Sequence, residues 1–336
     1  MDIIKNIRKN TIFLLLITII VLVLVLKDDF SNIVTALSSM DYKFILMAIV
    51  FFLISIILKA YVTYITINDK NKISLKEAIK HNIIAQFFNG ITPFSTGGQP
   101  MEIYMLTEHD IKISHASNIT IQNFIFYQTA LVIYGILAVL YNAVFHIFPE
   151  NSLLKHFVLL GFFINTLVAV VLFLITFSEK STKKTTHVII KFLSKIKIIK
   201  NKEKAISSID NKLEEFHSSA KQLHKRKKLF IAGVIFNFLS LTCLYIVPLF
   251  IVYSLHDFSS LNILETLTAS AYVLIIGSFV PIPGASGGIE YGFLRFFGNF
   301  LTSNVTAAVL IVWRFITYYL GIILGSLFFS LEKKVK

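Results

Sequence analysis

Four charged residues stand inside otherwise apolar stretches of this sequence, where a charge must either pair with another charge or bind a ligand. Glu102 and Glu290 each follow a pair of glycines, and Arg295 and Arg314 come after Glu290 in the chain. A charge near the centre of a membrane span costs on the order of 3 kcal/mol, and Arg314 lies within VLIVWRFITYYLGIILG. Because arginine binds phosphate in a forked geometry, we predict that Glu102, Glu290, Arg295 and Arg314 bind an anionic substrate.

Structural roles are the alternative for the same charges. A carboxylate in the first turn of a helix interacts favourably with the helix dipole, and both Glu102 and Glu290 could lie in such a turn. Glu290 and Arg295 are also candidate partners, and an inert internal ion pair is the alternative to a binding site at Arg314. We expect Lys59 to extend its ammonium to the edge of the membrane. The sequence shows no nucleophile-base pair, phosphate loop or metal-ligand spacing, so we predict no catalytic residue, no metal and no cofactor.

Two related motifs must position these charges, PFSTGGQPME and PIPGASGGIE. Each contains a proline followed four residues later by paired glycines, and the motif residues are Pro93, Gly97, Gly98, Pro281, Pro283, Gly284, Gly287 and Gly288. Glycine adopts positive φ and allows backbones to approach closely, so we predict that the chain reverses at both motifs. A helix that begins after each glycine pair would direct its N-terminus at an anion. The alternative is that the glycines only allow close packing of helices.

A helix-start pattern precedes each motif. Ser74 in SLKEAIK and Asn262 in NILETLT each precede a glutamate by three residues, which is typical of a capping box. Nineteen residues after each cap comes a proline, Pro93 or Pro281, and we expect each helix to end there. Residues 74–106 and 262–300 are therefore predicted to be re-entrant helical hairpins. Non-helical backbone at membrane depth must be buried in protein or line a wet cavity, so we predict a polar groove between them.

Composition places these hairpins in a membrane protein. The 336 residues are 55% hydrophobic and only 15% charged, with a mean hydropathy of +0.74. The fold class is therefore predicted to be an all-α integral membrane protein. It would have about six full spans besides the two hairpins, at residues 11–26, 44–67, 116–145, 157–177, 229–255 and 305–331. The single polytopic domain, 1–336, would be an inverted repeat of residues 1–150 and 151–336.

The net charge of +13 is concentrated in one segment. Residues 179–228 contain 15 Lys/Arg and 5 Asp/Glu, an excess of 15 − 5 = +10. We predict that this segment and both termini are cytoplasmic in a multi-pass protein of the cell membrane. Ile206, Ile209, Leu213 and Phe216 recur at helical spacing, which predicts an amphipathic helix on an anionic membrane surface. No nucleic-acid partner is expected, although docking of RNA or protein is the alternative use of such a segment.

At these residues the sequence resembles a known family. NGITPFSTGGQPMEIYML, PIPGASGGIEYGFL and the Arg314 span followed by Gly321 are similar to the lysylphosphatidylglycerol synthase transmembrane-region family, whose flippase-like domain also forms the N-terminal part of the multiple peptide resistance factor. The resemblance covers nearly the whole chain. It implies a lipid flippase or scramblase whose substrate is an anionic or aminoacylated phospholipid similar to lysylphosphatidylglycerol.

Two other functions remain open at this point. The chain could be an enzyme, or a membrane subunit of an enzyme, of lipid-linked aminoacyl or glycosyl transfer, and a separate lipid-modifying synthase would then be a partner. It could also be a structural or regulatory subunit, and a homo-oligomer is possible. Longer relatives carry a soluble aminoacyltransferase domain, whereas this chain ends five residues after Leu331 and we expect it to lack that domain. A phosphatidylglycerol lysyltransferase activity would therefore rest on family similarity alone.

Overall fold

The structure, a computed structural model, describes residues 30–67, 73–148, 152–195, 226–278 and 280–335, with a few helical residues between 203 and 217. The described residues form helices and turns and contain no strand, which confirms the all-α fold class. The predicted span at 11–26 and Phe216 lie outside the described residues.

The helices of the described residues comprise membrane spans, hairpin limbs and peripheral helices. In chain order they are α1 Phe30–Ser38, α2 Tyr42–Thr66, α3 Leu75–Ile91, α4 Gly98–Thr107, α5 Ile113–Phe145, α6 Ser152–Phe177, α7 Glu179–Lys195, α8 Lys227–Tyr245, α9 Val247–Tyr253, α10 Ile263–Gly277, α11 Gly288–Phe297, α12 Ser303–Arg314 and α13 Leu320–Val335. A π-helical segment, Phe315–Tyr319, joins α12 and α13.

Five stretches of the described chain are helical, long and apolar enough to cross a membrane. They are Tyr42–Thr66, Ile113–Phe145, His156–Leu174, Lys227–Tyr253 and Ser303–Leu331, and each coincides with a predicted span. On α2, Leu46, Val50 and Leu53 are exposed while Phe52 and Ile56 are buried. A helix that exposes apolar side chains on one face while burying another in protein is suited to contact with lipid.

The basic segment is partly helical. Helix α7 covers Glu179–Lys195, and residues 206–211 are also helical, so Ile206 and Ile209 of the predicted amphipathic helix lie in helical chain. His187 Nε2 lies 2.8 Å from Asp210 Oδ1 and joins the two pieces. Sequence reasoning located the second piece and missed α7.

Both predicted hairpins are present, and both begin with the expected capping box. In the first, the backbone N–H of Glu77 donates to Ser74 Oγ over 3.3 Å, and the N–H of Ser74 donates to Glu77 Oε2 over 2.6 Å. The corresponding bonds between Asn262 and Glu265 are both 2.9 Å. The backbone and side-chain hydrogen bonds from Ser74 hold the pKa of the Glu77 carboxyl below its usual value. These caps satisfy amide groups that would otherwise lack partners at a helix start.

The second limb of each hairpin is too short to cross a bilayer. Helices α4 and α11 have 10 residues each. At about 1.5 Å per residue such a helix spans about 15 Å, which is half of the hydrocarbon thickness of about 30 Å. Each hairpin is therefore expected to enter and leave on one side of the membrane.

The turns at the tips of the two hairpins share a backbone conformation. Thr92 has φ −115° and ψ 145°, and Ile282 has φ −112° and ψ 142°. Two residues later, Phe94 has φ 54° and ψ 17°, and Gly284 has φ 64° and ψ 13°. The conformations separate just before the glycine pair, where Thr96 has ψ −9° and Ser286 has ψ 140°. They differ again at the next residue, where Gly97 has φ −76° and Gly287 has φ +88°. Positive φ, predicted for glycines in both motifs, therefore occurs at glycine only in the second turn.

Two proline predictions have different outcomes. Helix α3 ends at Ile91, next to Pro93 as expected. Helix α10 ends at Gly277, four residues earlier than Pro281, so the prediction that it continues to that proline was wrong. The residue before a proline avoids the helical region. Because Pro281 and Pro283 are two residues apart, the chain before and between them cannot continue the helix. Pro283, at the start of a 3₁₀ turn, has the same place as Pro93 in the first hairpin.

The tips of the two hairpins meet inside the protein. The turn Pro93–Ser95 contacts the turn Pro283–Ala285. Helix α13 packs along α3, and α12 packs along α11, so the last span contacts both hairpins. The Tyr318 hydroxyl, in the π-helical segment, donates to the carbonyl of Gly90 over 2.8 Å. The two tips are therefore held in contact with each other, while residues 93–96 of the first tip are exposed.

The topology can be tested with two exposed serines. A cysteine placed at Ser259, in the loop before α10, should react with an impermeant thiol reagent added to intact cells carrying Cys243→Ser. A cysteine at Ser207, in the basic segment, should react only after the membrane is opened, because positively charged loops stay in the cytoplasm. Labelling of Ser207→Cys in intact cells would contradict the orientation.

Candidate functional site

A cavity of about 860 Å³ lies between the two hairpins. Both turns contribute to its wall, together with α2, α5 and the last span. Its polar lining includes Lys59, Thr63, Asn89, Glu102, Asn123 and Arg314. Two of the four predicted binding residues, Glu102 and Arg314, therefore reach the cavity.

The other two predicted residues lie elsewhere. Glu290 is buried behind Arg314, to which it is bonded. Arg295 is exposed on α11, and its guanidinium lies over the ring of Tyr291 at 5.4 Å. The structure thus brings Glu290 and Arg314 together and leaves Arg295 apart from the cavity.

Arg314 and Glu290 form a buried ion pair with excellent geometry. Glu290 Oε1 accepts a hydrogen bond from Arg314 Nε over 2.7 Å and lies 2.5 Å from Arg314 Nη2. Only 8% of Glu290 and 6% of Arg314 is exposed. Two oxygen-nitrogen contacts between the same pair of side chains fix their relative orientation. Such a pair matches the internal ion pair that sequence reasoning kept as an alternative.

The same pair secures the backbone of the second turn. Glu290 Oε2 accepts from the N–H of Gly287 over 2.6 Å, and Arg314 Nη2 donates to the carbonyl of Gly284 over 3.0 Å. Glu290 is the third residue of α11, so it also occupies the first-turn position that favours a carboxylate. The guanidinium lies over the ring of Tyr318, with 4.8 Å between its central carbon and the ring centroid. Both carboxylate oxygens of Glu290, and Nε and Nη2 of Arg314, are thus engaged by protein.

Two glycines allow this arrangement. Gly287 has φ +88°, a conformation that side chains disfavour even though the space around its Cα is open. Gly284 has φ +64°, and a Cβ there would collide with the Tyr318 ring. The glycines of the second motif are therefore needed for the turn itself.

The first turn is held by uncharged side chains. Asn89 Oδ1 accepts from the N–H of Gly98 over 2.8 Å, and Thr92 Oγ1 accepts from the N–H of Gly97 over 2.8 Å. A Cβ on either glycine would strike these same groups, so here the glycines serve close approach. Phe94 takes positive φ without being glycine, which costs on the order of 1 kcal/mol.

Glu102 is held much more loosely than Glu290. Its Oε1 accepts from Thr63 Oγ1 over 3.2 Å and from Asn123 Nδ2 over 3.3 Å. Both donors are neutral, and Oε2 accepts no hydrogen bond from the described residues. As the fifth residue of α4, Glu102 lies beyond the first turn, unlike Glu290.

Lys59 is a cavity residue that sequence reasoning missed. Its ammonium lies over the ring of Tyr127 at 5.3 Å and interacts electrostatically with Glu102, with which it forms no direct ion pair. Lys59 is itself exposed, and the face of α2 that carries it also carries Thr63 and lines the cavity. The extension of its ammonium to the membrane edge stays a prediction. The polar spacing of LKAYVTYIT, with residues four apart on one helix face, was the available signal.

Two further hydroxyl groups lie in the cavity wall. Tyr245 Oη and Thr120 Oγ1 are buried and have no hydrogen-bond partner among the described residues. Neither residue carried a sequence signal, since a single tyrosine or threonine within a span is common. Within the described part of the chain, no group of three His, Cys, Asp or Glu could hold a metal ion.

The helices, hairpins and internal polar cavity together define a multi-pass α-helical membrane protein. A family model described as the lysylphosphatidylglycerol synthase TM region matches residues 11–325, and the chain belongs to this family. A relative from Archaeoglobus fulgidus, described as a UPF0104 membrane protein, is 25% identical over 265 residues, which are 76% of each chain. The family predicted from the two motifs is thereby confirmed.

Removing either charge of the buried pair should destabilise the protein. Glu290→Gln and Arg314→Gln should each lower the free energy of unfolding by about 3–5 kcal/mol, because each leaves its partner's charge buried and unpaired. The measurement is thermal unfolding of purified protein in detergent. Arg295→Gln, which changes an exposed charge on α11, is the matched control and should shift stability by about 0.5 kcal/mol or less. Equal melting temperatures for all three variants would rule out a structural role for the pair.

Proposed function

We propose that this protein moves phospholipids between the leaflets of a membrane. The observation that supports it is the cavity of about 860 Å³ between the two hairpin tips, whose largely apolar wall carries the charged side chains of Lys59, Glu102 and Arg314. Its volume falls within the range of about 300–1,000 Å³ that is usual for small-ligand sites. The charged and polar side chains of the cavity wall suit a phospholipid headgroup, while the acyl chains can remain in the surrounding lipid.

The charges of the cavity favour a phosphate-bearing headgroup. Lys59 and Arg314 both line the wall, and an ammonium or guanidinium in a low-dielectric cavity attracts a phosphate. Short helices broken by turns near the middle of a bundle are the usual site of substrate binding in transporters. Family membership further supports an anionic or aminoacylated phospholipid as the substrate.

The description of the family also favours a second candidate function. The family description contains the name of a lipid-modifying synthase. The chain could therefore act as the membrane partner of a separate lipid-modifying synthase. Movement of lipid by the purified chain alone supports the first function. Movement that requires the added synthase supports the second.

The basic segment supports a particular orientation in the cell membrane. Lys180, Lys183 and Lys184 lie on α7, and residues 226–228 are all basic. We place this segment and the chain termini on the cytoplasmic side, where the segment can contact anionic lipid headgroups.

Filling the cavity should block lipid movement. Ala85 is buried in the cavity wall, whereas Ala143, on α5, is exposed. In liposomes containing a lipid with a fluorescent acyl chain, the measurement is the rate at which fluorescent lipid leaves the protected inner leaflet. Ala85→Leu should slow this rate at least tenfold, which corresponds to about 1.4 kcal/mol in the activation barrier. Ala143→Leu adds the same atoms outside the cavity and should retain the wild-type rate. Wild-type protein that moves no lipid would refute the proposed function.

The purified chain should not transfer an aminoacyl group. Given aminoacyl-tRNA and phosphatidylglycerol, it should form no aminoacyl lipid above a control without protein, because moving a lipid between leaflets forms no new covalent bond. Thin-layer separation of radiolabelled lipids is a sufficient measurement. Product above the control would favour the enzymatic alternative.

A further inference from the structure

We propose that the side chain of Phe94 is a gate at the opening of the cavity between the two hairpins. Phe94 lies in the turn at the tip of the first hairpin. The proposal rests on the proposed function, since it concerns how a substrate enters the same cavity. It assigns Phe94 to the control of entry and to no step in the recognition of the substrate.

Phe94 stands where the cavity opens. Among the described residues of the cavity wall, the exposed ones are Lys59 and three consecutive residues of the first tip, Phe94, Ser95 and Thr96, while the others are buried or half-buried. The cavity therefore opens beside the first tip. Phe94 is the apolar residue of this exposed group, with 56% of its surface exposed, so its ring can cover or clear the opening.

No described residue fastens the Phe94 ring. The ring contacts no other described aromatic side chain and belongs to no buried apolar cluster of the described residues. Side chains hold only the base of the turn, where Thr92 and Asn89 accept hydrogen bonds from the N–H groups of Gly97 and Gly98. The ring at the top of the turn can therefore move while the base of the turn stays in place.

The second tip has the opposite arrangement. At the position that corresponds to Phe94 it has Gly284, and a Cβ there would collide with the ring of Tyr318. The Tyr318 ring is fastened, because its hydroxyl donates to the Gly90 carbonyl over 2.8 Å and the Arg314 guanidinium lies over its face. The second tip is thus covered by a fixed aromatic ring from the last span, whereas the first tip carries an unfastened ring of its own.

The backbone of the first tip is strained at the gate. Phe94 has φ 54° and Ser95 has φ 53°, so two consecutive residues other than glycine lie in the left-handed region. This region is unfavourable for residues with a side chain, and residues that are kept in it cluster at ligand clamps and switch regions. A ring that only contacted acyl chains would need no such backbone. A return of Phe94 to negative φ would redirect its side chain relative to the opening.

Labelling of a cysteine inside the cavity tests the proposal. Val168 on α6 is half-buried in the cavity wall, so a chain with Val168→Cys and Cys243→Ser carries one thiol there. The measurement is the rate at which a charged, water-soluble thiol reagent labels this detergent-purified chain. Adding Phe94→Ala or Phe94→Gly removes the ring and should speed the labelling at least tenfold. Adding Phe94→Trp keeps an aromatic ring at the opening and should not speed it.

Two controls isolate the effect of the ring at the opening. Phe163 on α6 is 62% exposed and lies outside the cavity wall, so Phe163→Ala removes the same atoms and should leave the labelling rate of Val168→Cys unchanged. A cysteine at the exposed Ser259, in place of the one at Val168, should be labelled at the same rate with every variant of Phe94. Because Phe94 is itself exposed, its variants should keep the melting temperature of the wild type.

The outcomes separate the gate from the proposed function. Equal labelling of the cavity cysteine with Phe94, Phe94→Ala and Phe94→Gly overturns the proposal, even if the protein moves lipid in liposomes. Faster labelling with Phe94→Gly alone, or with Phe94→Trp as well, assigns the effect to the backbone of the turn and also overturns it. Faster labelling with both small residues supports the gate, and it does so even if wild-type protein moves no lipid and the proposed function fails.

Discussion

The backbone of the second turn depends on the guanidinium of Arg314. A membrane interior offers no water to peptide groups that leave a helix, so each such group needs a partner from the protein. Arg314 donates to the Gly284 carbonyl and to Glu290, and Glu290 in turn accepts from the Gly287 amide. These hydrogen bonds link two side chains and two backbone groups into one network around the second turn. The same guanidinium lies over the ring of Tyr318, in the π-helical segment of the last span. The Tyr318 hydroxyl donates to the Gly90 carbonyl, so this segment contacts the first hairpin as well as the second.

The two hairpins solve the same problem with different chemistry. The second uses an ion pair and positive-φ glycines, while the first uses the amide of Asn89 and the hydroxyl of Thr92. Because neutral groups suffice in the first hairpin, the charges beside it remain directed at the cavity. A division of roles follows: near the second hairpin a charged pair holds the backbone, and near the first hairpin Lys59 and Glu102 line the cavity. The similar backbone of the two turns therefore does not imply similar function.

The sequence predicted the elements better than the roles of their residues. Capping boxes and paired glycines are local signals, and they located both hairpins nearly to the residue. The burial of Arg314 also followed from its position in an apolar span. Whether Glu290 pairs with Arg314 or with Arg295 depends on how α11 faces α12, which no local pattern encodes, and in the structure it pairs with Arg314. Lys59 was missed as a cavity residue for a related reason. A lysine near a helix end resembles one that extends to the membrane interface, and only tertiary packing places it in the cavity wall.

The π-helical segment has a consequence for the length of the last span. Within Phe315–Tyr319 a backbone bond closes over five residues, since the N–H of Leu320 donates to the carbonyl of Phe315. This wider turn changes the register between α12, which packs on the second hairpin through Trp313 and Phe293, and α13, whose Gly321 and Gly325 lie against α3. Loss of a single residue here would rotate one end of the span by about 100° relative to the other. The segment should therefore tolerate neither a deletion nor an insertion.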